Sequence, residues 1–296
     1  MFNRDFMEYH KDRFTDHSLL IFKEKKLVAA LPANITDGAL HSHQGLTYGG
    51  LVFTEKLKFN AVVELFKAVL KHLDNDKVAT LNIKLLPAIY SSMPNEELDY
   101  LMFLVDAKLT RRDALAVIDN SKKINFSKDR KEGYKRGVKH NLIVKEEDSF
   151  DVFWNTILVP NLKAKHHANP VHSLDEITAL KQSFPKHIRQ FNVYKDNVVV
   201  AGTTIFETKH VAHSQYISGN INKNELGSLD FLHHYLITKV FKDKRYFDFG
   251  ISNENKGRQV NQGLQYWKEG FGARTIVQDF YSVETKNYDK LNQVFI

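Results

Sequence analysis

The sequence predicts an α+β protein made of two copies of one unit, each a mixed, mostly antiparallel sheet flanked by helices. Its 296 residues suit two domains of ordinary size better than one or three. Two similar hairpin sequences lie far apart in the chain, and the same order of predicted strands and helices follows each. These observations predict an N-terminal domain over 1–120, a basic connector over 121–149 and a C-terminal domain over 150–296.

The composition is that of a globular protein and excludes several kinds of site. Hydrophobic residues make up 43% of the chain and charged residues 26%. Cysteine is absent, which excludes disulfides, thiolate metal sites and a cysteine nucleophile. A net charge of +7 favours phosphate-bearing partners without requiring them. Because no apolar signal-like run or membrane-spanning run occurs, we expect a cytoplasmic protein without membrane insertion.

Both hairpins consist of an apolar run, a charged turn and a second apolar run. The first spans Leu19–Leu31 and the second spans Phe191–Gly202. Aligned without a gap, Phe22-Lys23-Glu24 matches Tyr194-Lys195-Asp196. The match is short, so the elements that follow carry the argument for a repeat.

Each hairpin is followed by a strand, a helix, a strand, a helix and a strand. The first set is predicted at Leu46–Phe53, 59–73, 78–86, 94–105 and 112–118, and the second at Val211–Ser218, 228–242, 246–249, 258–269 and 273–281. The helices are predicted from apolar residues three and four positions apart, most clearly over 59–73.

Capping residues indicate where several helices begin. Ser228 and Asn95 are the predicted N-caps of two of them. An additional helix near 173–184 begins with a capping box, in which Glu176 stands three residues after Ser173.

Three segments resemble the FemAB-like proteins of the Fem-type aminoacyl (peptidyl) transferases. They are His43–Gly50, Tyr246–Ser252 and Trp267–Gly272, the last similar to the family's Phe-Lys-x-x-Phe-Gly signature with Trp267 in place of the first Phe. The repeated order of elements is similar to the GNAT acyltransferase fold, which this family carries in tandem. The resemblance implies an acyltransferase that moves an aminoacyl or acyl group onto an amine of a cell-envelope precursor or related metabolite.

The resemblance leaves the donor open between aminoacyl-tRNA and acyl-CoA. GNAT enzymes that use acyl-CoA usually carry an Arg/Gln-x-x-Gly-x-Gly/Ala loop, whereas Asn224–Leu229 keeps one glycine and no basic residue. An acyl-CoA-dependent N-acetyltransferase of an amino sugar or small amine is therefore the alternative. A third hypothesis is a non-catalytic protein that binds an anionic ligand, because the fold has no obligatory catalytic residue.

The two catalytic candidates are Lys268 and Asp248. The resemblance places Lys268 near the reacting ester and the donor phosphates, where a compact ammonium suits an oxyanion or phosphate. Asp248 ends a strand before a polar loop, where a carboxylate can orient or deprotonate an amine. The structural alternatives are a surface lysine at 268, and an Asp248 that bonds to loop backbone or to Arg258.

The substrate-binding candidates come from both copies of the unit. They are Tyr216, Asn255, Arg258 and Asn261 in the second copy, and His43, Tyr48 and Gly49 in the first. In the fold that the chain resembles, the first two strands after each hairpin separate, and the helix between them directs its N-terminus into the cleft, where anions bind. The alternatives for these residues are helix caps, solvated charge and a β-bulge.

A basic stretch over 122–145 contains nine lysines and arginines. Lys135 and Arg136 are the candidate contacts to donor phosphates, and binding of tRNA there would weaken steeply with salt. A solvated connector is the alternative.

The chain has 14 histidines. Local clusters stand at His166-His167 with His172, at His210 with His213 and at His233-His234, yet none has the spacing of an HExxH site. We therefore expect no metal site.

Overall fold

A computed structural model describes residues 2–296, except for the side chains of residues 165 and 166. The strands are β1 (Thr15–Asp16), β2 (Leu19–Lys23), β3 (Lys26–Leu31), β4 (Asn34–Thr36), β5 (Ala39–His41), β6 (Val52–Phe53), β7 (Thr80–Lys84), β8 (Lys108–Asp119), β9 (Ile143–Glu147), β10 (Ile188–Lys195), β11 (Val198–Glu207), β12 (Val211–Gly219), β13 (Tyr246–Ile251), β14 (Asn253–Glu254), β15 (Gln259–Val260) and β16 (Arg274–Glu284).

The helices are α1 (Arg4–Met7), α2 (Phe59–Asn75), α3 (Glu97–Leu104), α4 (Lys128–Lys139), α5 (Asp151–Phe153), α6 (Val159–His166), α7 (Leu174–Ser183), α8 (Lys223–Leu226), α9 (Ser228–Tyr235) and α10 (Gln262–Glu269). Trp154–Leu158 and Leu236–Val240 are π-helical, and 3₁₀ helices span Glu8–His10, Ala88–Tyr90 and Thr285–Gln293. No helix in the described part of the chain is long and apolar enough to cross a membrane.

The chain forms two compact units, neither of which is continuous in sequence. The first contains the chain up to Asp113, Asn255–Arg258 and Val277–Ile296, and the second contains Ala114–Glu254 and Gln259–Ile276. The C-terminal residues therefore pack with the first unit. The basic stretch packs within the second, where it forms α4 and β9.

The core of the first unit lies between its sheet and α2. Strands β1, β4, β5, β7 and the end of β16 lie in that order, with β5 parallel to β7 and the other pairs antiparallel. Strands β2, β3 and β6 form a separate small sheet. The apolar stripe of α2 packs into the core, as its spacing predicts; its buried residues are Val62, Val63, Leu65, Phe66, Val69, Leu70 and Leu73.

The predicted strand Leu46–Phe53 is wrong for most of its length, because only β6 is extended and paired there. The backbone instead folds closely on itself: a Cβ atom at Gly49 would clash with the Ser42 carbonyl oxygen. Two short strands that the sequence pattern missed, β4 and β5, take the place in the sheet.

The second unit has the strand order β8, β13, β12, β11, β10, β9, in which β12 and β13 are parallel and the other pairs antiparallel. Strand β9, from the basic stretch, is the edge strand beside β10. The apolar core lies between this sheet and α9, whose Leu232 is fully buried, as are Phe247 and Phe271.

The hairpins confirm the repeat in their details. The first is β2–β3 and the second is β10–β11. Each has a β-bulge at the same aligned position, between Ile21 and Phe22 in one and between Val193 and Tyr194 in the other. The two alignable sequences therefore fold alike.

Most predicted helices are confirmed, but two caps differ. The capping box of Ser173 and Glu176 is present at α7. At α9, Gly227 in a left-handed conformation precedes the helix and Ser228 is its first residue, whereas α3 begins after Glu96 rather than after Asn95. The helical segment over 151–166 was missed.

Candidate active site

Strands β12 and β13 pair over only three residues and then separate. Their parallel register runs from Val211 opposite Tyr246 to His213 opposite Asp248. Beyond this point a pocket of about 780 Å³ opens, lined by Ser214–Gly219 apart from Tyr216, and by Phe249 and Ile251. Its other walls come from α4, α6, α8, α10 and the first turn of α9. The separated strands that the resemblance implies are therefore present in the second unit.

Lys268 projects from the last turn of α10 into the wall of this pocket and is only 2% exposed. Its Nζ atom donates hydrogen bonds to the carbonyl oxygens of Gly250, at 3.1 Å, and Ile251, at 2.6 Å. Burial lowers the pKa of Lys268 to about 8, against an opposing effect of the Asp248 charge. The surface-lysine interpretation is wrong.

His233 forms part of the apolar surroundings of Lys268. It is fully buried, donates from Nδ1 to the Leu229 carbonyl oxygen at 2.9 Å, and its ring contacts Phe249 and Trp267. Burial, with a further contribution from the Lys268 charge, lowers the pKa of His233 to about 4. At neutral pH the imidazole is therefore uncharged and adds no second positive charge beside Lys268.

Asp248 is fully buried, one residue before Phe249 of the pocket wall, and both of its carboxylate oxygens have partners. One carboxylate oxygen accepts a hydrogen bond from the Gly250 amide at 2.7 Å, and the other lies 2.9 Å from His213 Nδ1. Asp248 therefore bonds the backbone of its own strand, β13, at Gly250. His213, its other partner, was considered in the sequence only as part of a histidine cluster.

The first turn of α9 is covered by α4. Asp230 in this turn lies 2.5 Å from Arg130, accepts from the Trp267 indole at 2.8 Å and has Arg136 at 4.0 Å. A Cβ atom at Gly133 would clash with the Asp230 carboxylate. Burial raises the pKa of Asp230, against the effect of Arg130. The N-terminus of α9 therefore faces the Asp230 carboxylate and helix α4.

Three buried polar atoms of pocket-lining residues have no hydrogen-bond partner among the described atoms. They are Nε of Arg130, the hydroxyl oxygen of Ser214 and the amide oxygen of Gln215. Buried polar groups are normally satisfied, so these three are available to a polar ligand.

Four other candidate residues lie in the second unit, and they differ in whether they line the pocket. Arg136 lines the pocket, whereas Lys135 is exposed and bonds Glu132. Asn261 lines the pocket and also caps α10 by accepting from the Leu264 amide. Tyr216 does not line the pocket, since its hydroxyl bonds the buried His172.

The remaining candidates belong to the first unit, as do Asn255 and Arg258. Tyr48 is buried and accepts a hydrogen bond from the Tyr90 hydroxyl at 2.8 Å. His43 is buried and stacks on His10, with ring centroids 4.8 Å apart. Burial, together with the nearby charges of His10 and Lys84, lowers the pKa of His43 to about 4.

Among the described residues, no group of three or more His, Cys, Asp or Glu side chains is placed to hold a metal ion. The His166 side chain, part of one histidine cluster in the sequence, lies outside the described residues.

Solved structures of the same fold cover nearly the whole chain. FemX has a TM-score of 0.68 at 8% identity, covering 98% of this chain and 93% of its own. The C-terminal domain of a putative lysylphosphatidylglycerol synthetase from Agrobacterium fabrum has a TM-score of 0.62 at 14% identity, with 94% and 90% covered. A tandem GNAT protein from the clavulanic acid biosynthesis pathway has a TM-score of 0.51 at 12% identity, with 95% and 87% covered.

No protein-family model and no curated protein sequence matches the chain. The similarity to solved structures shows a FemAB-like, tandem GNAT fold.

Proposed function

We propose that the second unit carries an acyltransferase site that moves an aminoacyl or acyl group from an activated ester or thioester to an amine. The observation that carries this proposal is the position of Lys268. A buried ammonium with a pKa of about 8 lines the pocket that opens where β12 and β13 separate. Such a charge stabilises negative charge more strongly in this setting than in water.

In the proposed reaction a neutral amine attacks the carbonyl carbon of the donor. The carbonyl π electrons move to oxygen, and the Lys268 ammonium stabilises the resulting oxyanion. The oxyanion then collapses, the bond to the leaving oxygen or sulfur breaks, and the leaving group takes the proton that the amine loses. No enzyme nucleophile is required.

Asp248 and His213 act as positioning residues in this proposal. Asp248 accepts a hydrogen bond of 2.7 Å from the Gly250 amide. The carbonyl oxygens of Gly250 and Ile251, which follow this amide in the chain, accept hydrogen bonds from Lys268. The buried carboxylate also raises the pKa of Lys268 and so favours its charged form.

The covered N-terminus of α9 supports an aminoacyl ester over acyl-CoA as the donor. Gly227, Ser228 and Asp230 are all buried there, and the Asp230 carboxylate occupies the first turn of the helix, which disfavours a diphosphate at its N-terminus. Arg136 and Lys223 instead offer cations in the pocket wall. We propose aminoacyl-tRNA as the donor and an amine of a cell-envelope precursor or related metabolite as the acceptor.

The test supplies the purified protein with amine acceptors and, separately, with a labelled aminoacyl-tRNA pool or labelled acetyl-CoA. Transfer from tRNA that is lost in Lys268→Met is the expected result. Transfer from acetyl-CoA would support the N-acetyltransferase alternative. Binding of both donors without transfer to any acceptor would favour a non-catalytic protein and contradict the proposal.

A further inference from the structure

The outer face of the β2–β3 hairpin exposes three large apolar side chains. Leu20, Phe22 and Leu27 are 62%, 55% and 50% exposed. Phe22 lies opposite Leu27 in the register, and Leu20, two residues before Phe22, lies on the same face of β2. The inner face packs on the core through Ile21 and Ala29. The hairpin is therefore apolar on both sides, although only one side is covered.

The second hairpin shows that this exposure is not a requirement of the repeat. At the position that aligns with Leu20 it has Asn192, which is only 1% exposed, and Val199, aligned with Leu27, is also buried. Helix α7 packs on β10, and Phe153 of α5 packs against Gly202 of β11. Two of the three positions that are apolar and exposed in the first hairpin are therefore buried in the second, so the first hairpin lacks the cover that the second one has.

The turn of the first hairpin carries a basic cluster next to the apolar face. Lys23, Lys25 and Lys26 are exposed there with a single acidic residue, Glu24. Apolar side chains bordered by lysines suit the boundary between lipid headgroups and acyl chains. There the ammonium groups bind anionic headgroups while the apolar side chains contact the acyl chains. A protein partner would need an apolar groove bordered by acidic side chains, whereas an anionic lipid surface supplies both features along its whole extent.

We propose that this hairpin docks peripherally on an anionic lipid surface. The relevant surface consists of Leu20, Phe22, Leu27 and the three turn lysines, and it is independent of the pocket in the second unit.

The test measures co-sedimentation of the full chain with vesicles of phosphatidylglycerol and phosphatidylcholine, and with phosphatidylcholine alone. We expect binding to the anionic vesicles that weakens with salt. Substituting Gln for the three lysines should weaken it by about fivefold per lysine at low salt. The variant Leu20→Ser with Phe22→Ser should weaken it by about tenfold or more.

A matched control comes from the turn of the second hairpin, where Val198 is also exposed. Val198→Ser with Lys195→Gln should leave vesicle binding unchanged. In addition, a tryptophan placed by Phe22→Trp should shift its emission to shorter wavelength with anionic vesicles, whereas one placed by Val198→Trp should not.

Three results would overturn the proposal. The first is an absence of binding to anionic vesicles at low salt, and the second is binding that the hairpin variants leave intact. The third is a self-association without lipid that Leu20→Ser with Phe22→Ser abolishes, which would assign this face to a second copy of the chain.

Discussion

The Nζ atom of Lys268 lies 2.6 Å from the carbonyl oxygen of Ile251. With the second bond to Gly250, two of the three N–H groups of the ammonium are directed at backbone. The position of the charge is therefore fixed by β13, the strand that separates from β12 to form the pocket. One N–H group remains for a ligand, and its orientation is set before the ligand arrives.

Replacing Lys268 by methionine should lower kcat/KM by about 100- to 1000-fold, because the oxyanion loses its charged donor. Methionine is close in length to the aliphatic part of the lysine side chain and is also apolar, so the packing around Trp267 should be retained. Steady-state kinetics measure the effect, with the donor that supports transfer in the test under Proposed function.

Lys244→Met is the matched control for this variant. Lys244 lies in the same unit and bonds Glu207 and the Thr208 carbonyl, outside the pocket. Turnover should stay near that of the wild type. An equal loss in both variants would mean that the Lys268 effect reflects stability alone.

The stability of the protein should rise with pH between about 8 and 10.5, in part through Lys268. Its pKa is about 8 in the folded state against an ordinary 10.5, so the unfolded state binds more protons in this window. A difference of this size corresponds to roughly 3 kcal/mol in the free energy of unfolding. Urea unfolding at several pH values measures it.

In Lys268→Met the increase in the free energy of unfolding between pH 8 and 10.5 should be smaller than in the wild type by roughly 3 kcal/mol. A rise of unchanged size would contradict the lowered pKa. Lys84, whose pKa burial also lowers to about 8, contributes in the same direction and should keep its share in this variant.

Asp248→Asn should shift the basic limb of the pH–rate profile to lower pH. The carboxylate raises the pKa of Lys268, and its removal lets that pKa fall further. The free energy of unfolding should drop by about 1–3 kcal/mol, since His213 loses a buried partner. His213→Asn serves as the comparison: it disturbs the same pair without removing the charge, so its profile should keep the wild-type limb.

Gly227→Ala should destabilise the second unit strongly. The residue has a φ of +63°, and a Cβ atom there would clash with the Gly133 carbonyl oxygen of α4. We expect a loss above about 2 kcal/mol in the free energy of unfolding. Gly38→Ala is the control, because Gly38 has a φ of +73° but no atom within 4 Å of the added Cβ. It should cost about 1 kcal/mol.

The parts of the fold that the sequence predicted well are those whose pattern reflects local periodicity. The stripe of α2, the capping box of α7 and both hairpins depend on residues close together in the chain. The prediction over Leu46–Phe53 was wrong because apolar content alone does not reveal where the backbone passes close to another segment, as Gly49 does at Ser42.

The residues of the candidate site likewise fall into those that a local sequence pattern indicates and those that only distant contacts define. A signature of adjacent residues was enough to single out Lys268 and its neighbours. The contact between Asp248 and His213 joins β13 to β12 across 35 residues of chain, and no local pattern indicates it. The covering of the α9 N-terminus by α4 depends on a contact between residues still farther apart in sequence, since Arg130 and Asp230 are separated by 100 positions.

The sequence by itself indicated the two hairpins and most of the helices that follow them, because these depend on the spacing of neighbouring residues, and its resemblance to the Fem-type signature singled out Lys268. Only the tertiary structure decided that Lys268 is buried against the Gly250 and Ile251 carbonyls, that the basic stretch packs on α9, and that residues 277–296 close the first unit. The physical reason is that burial, and the pKa change that follows from it, are properties of groups brought together from distant parts of the chain.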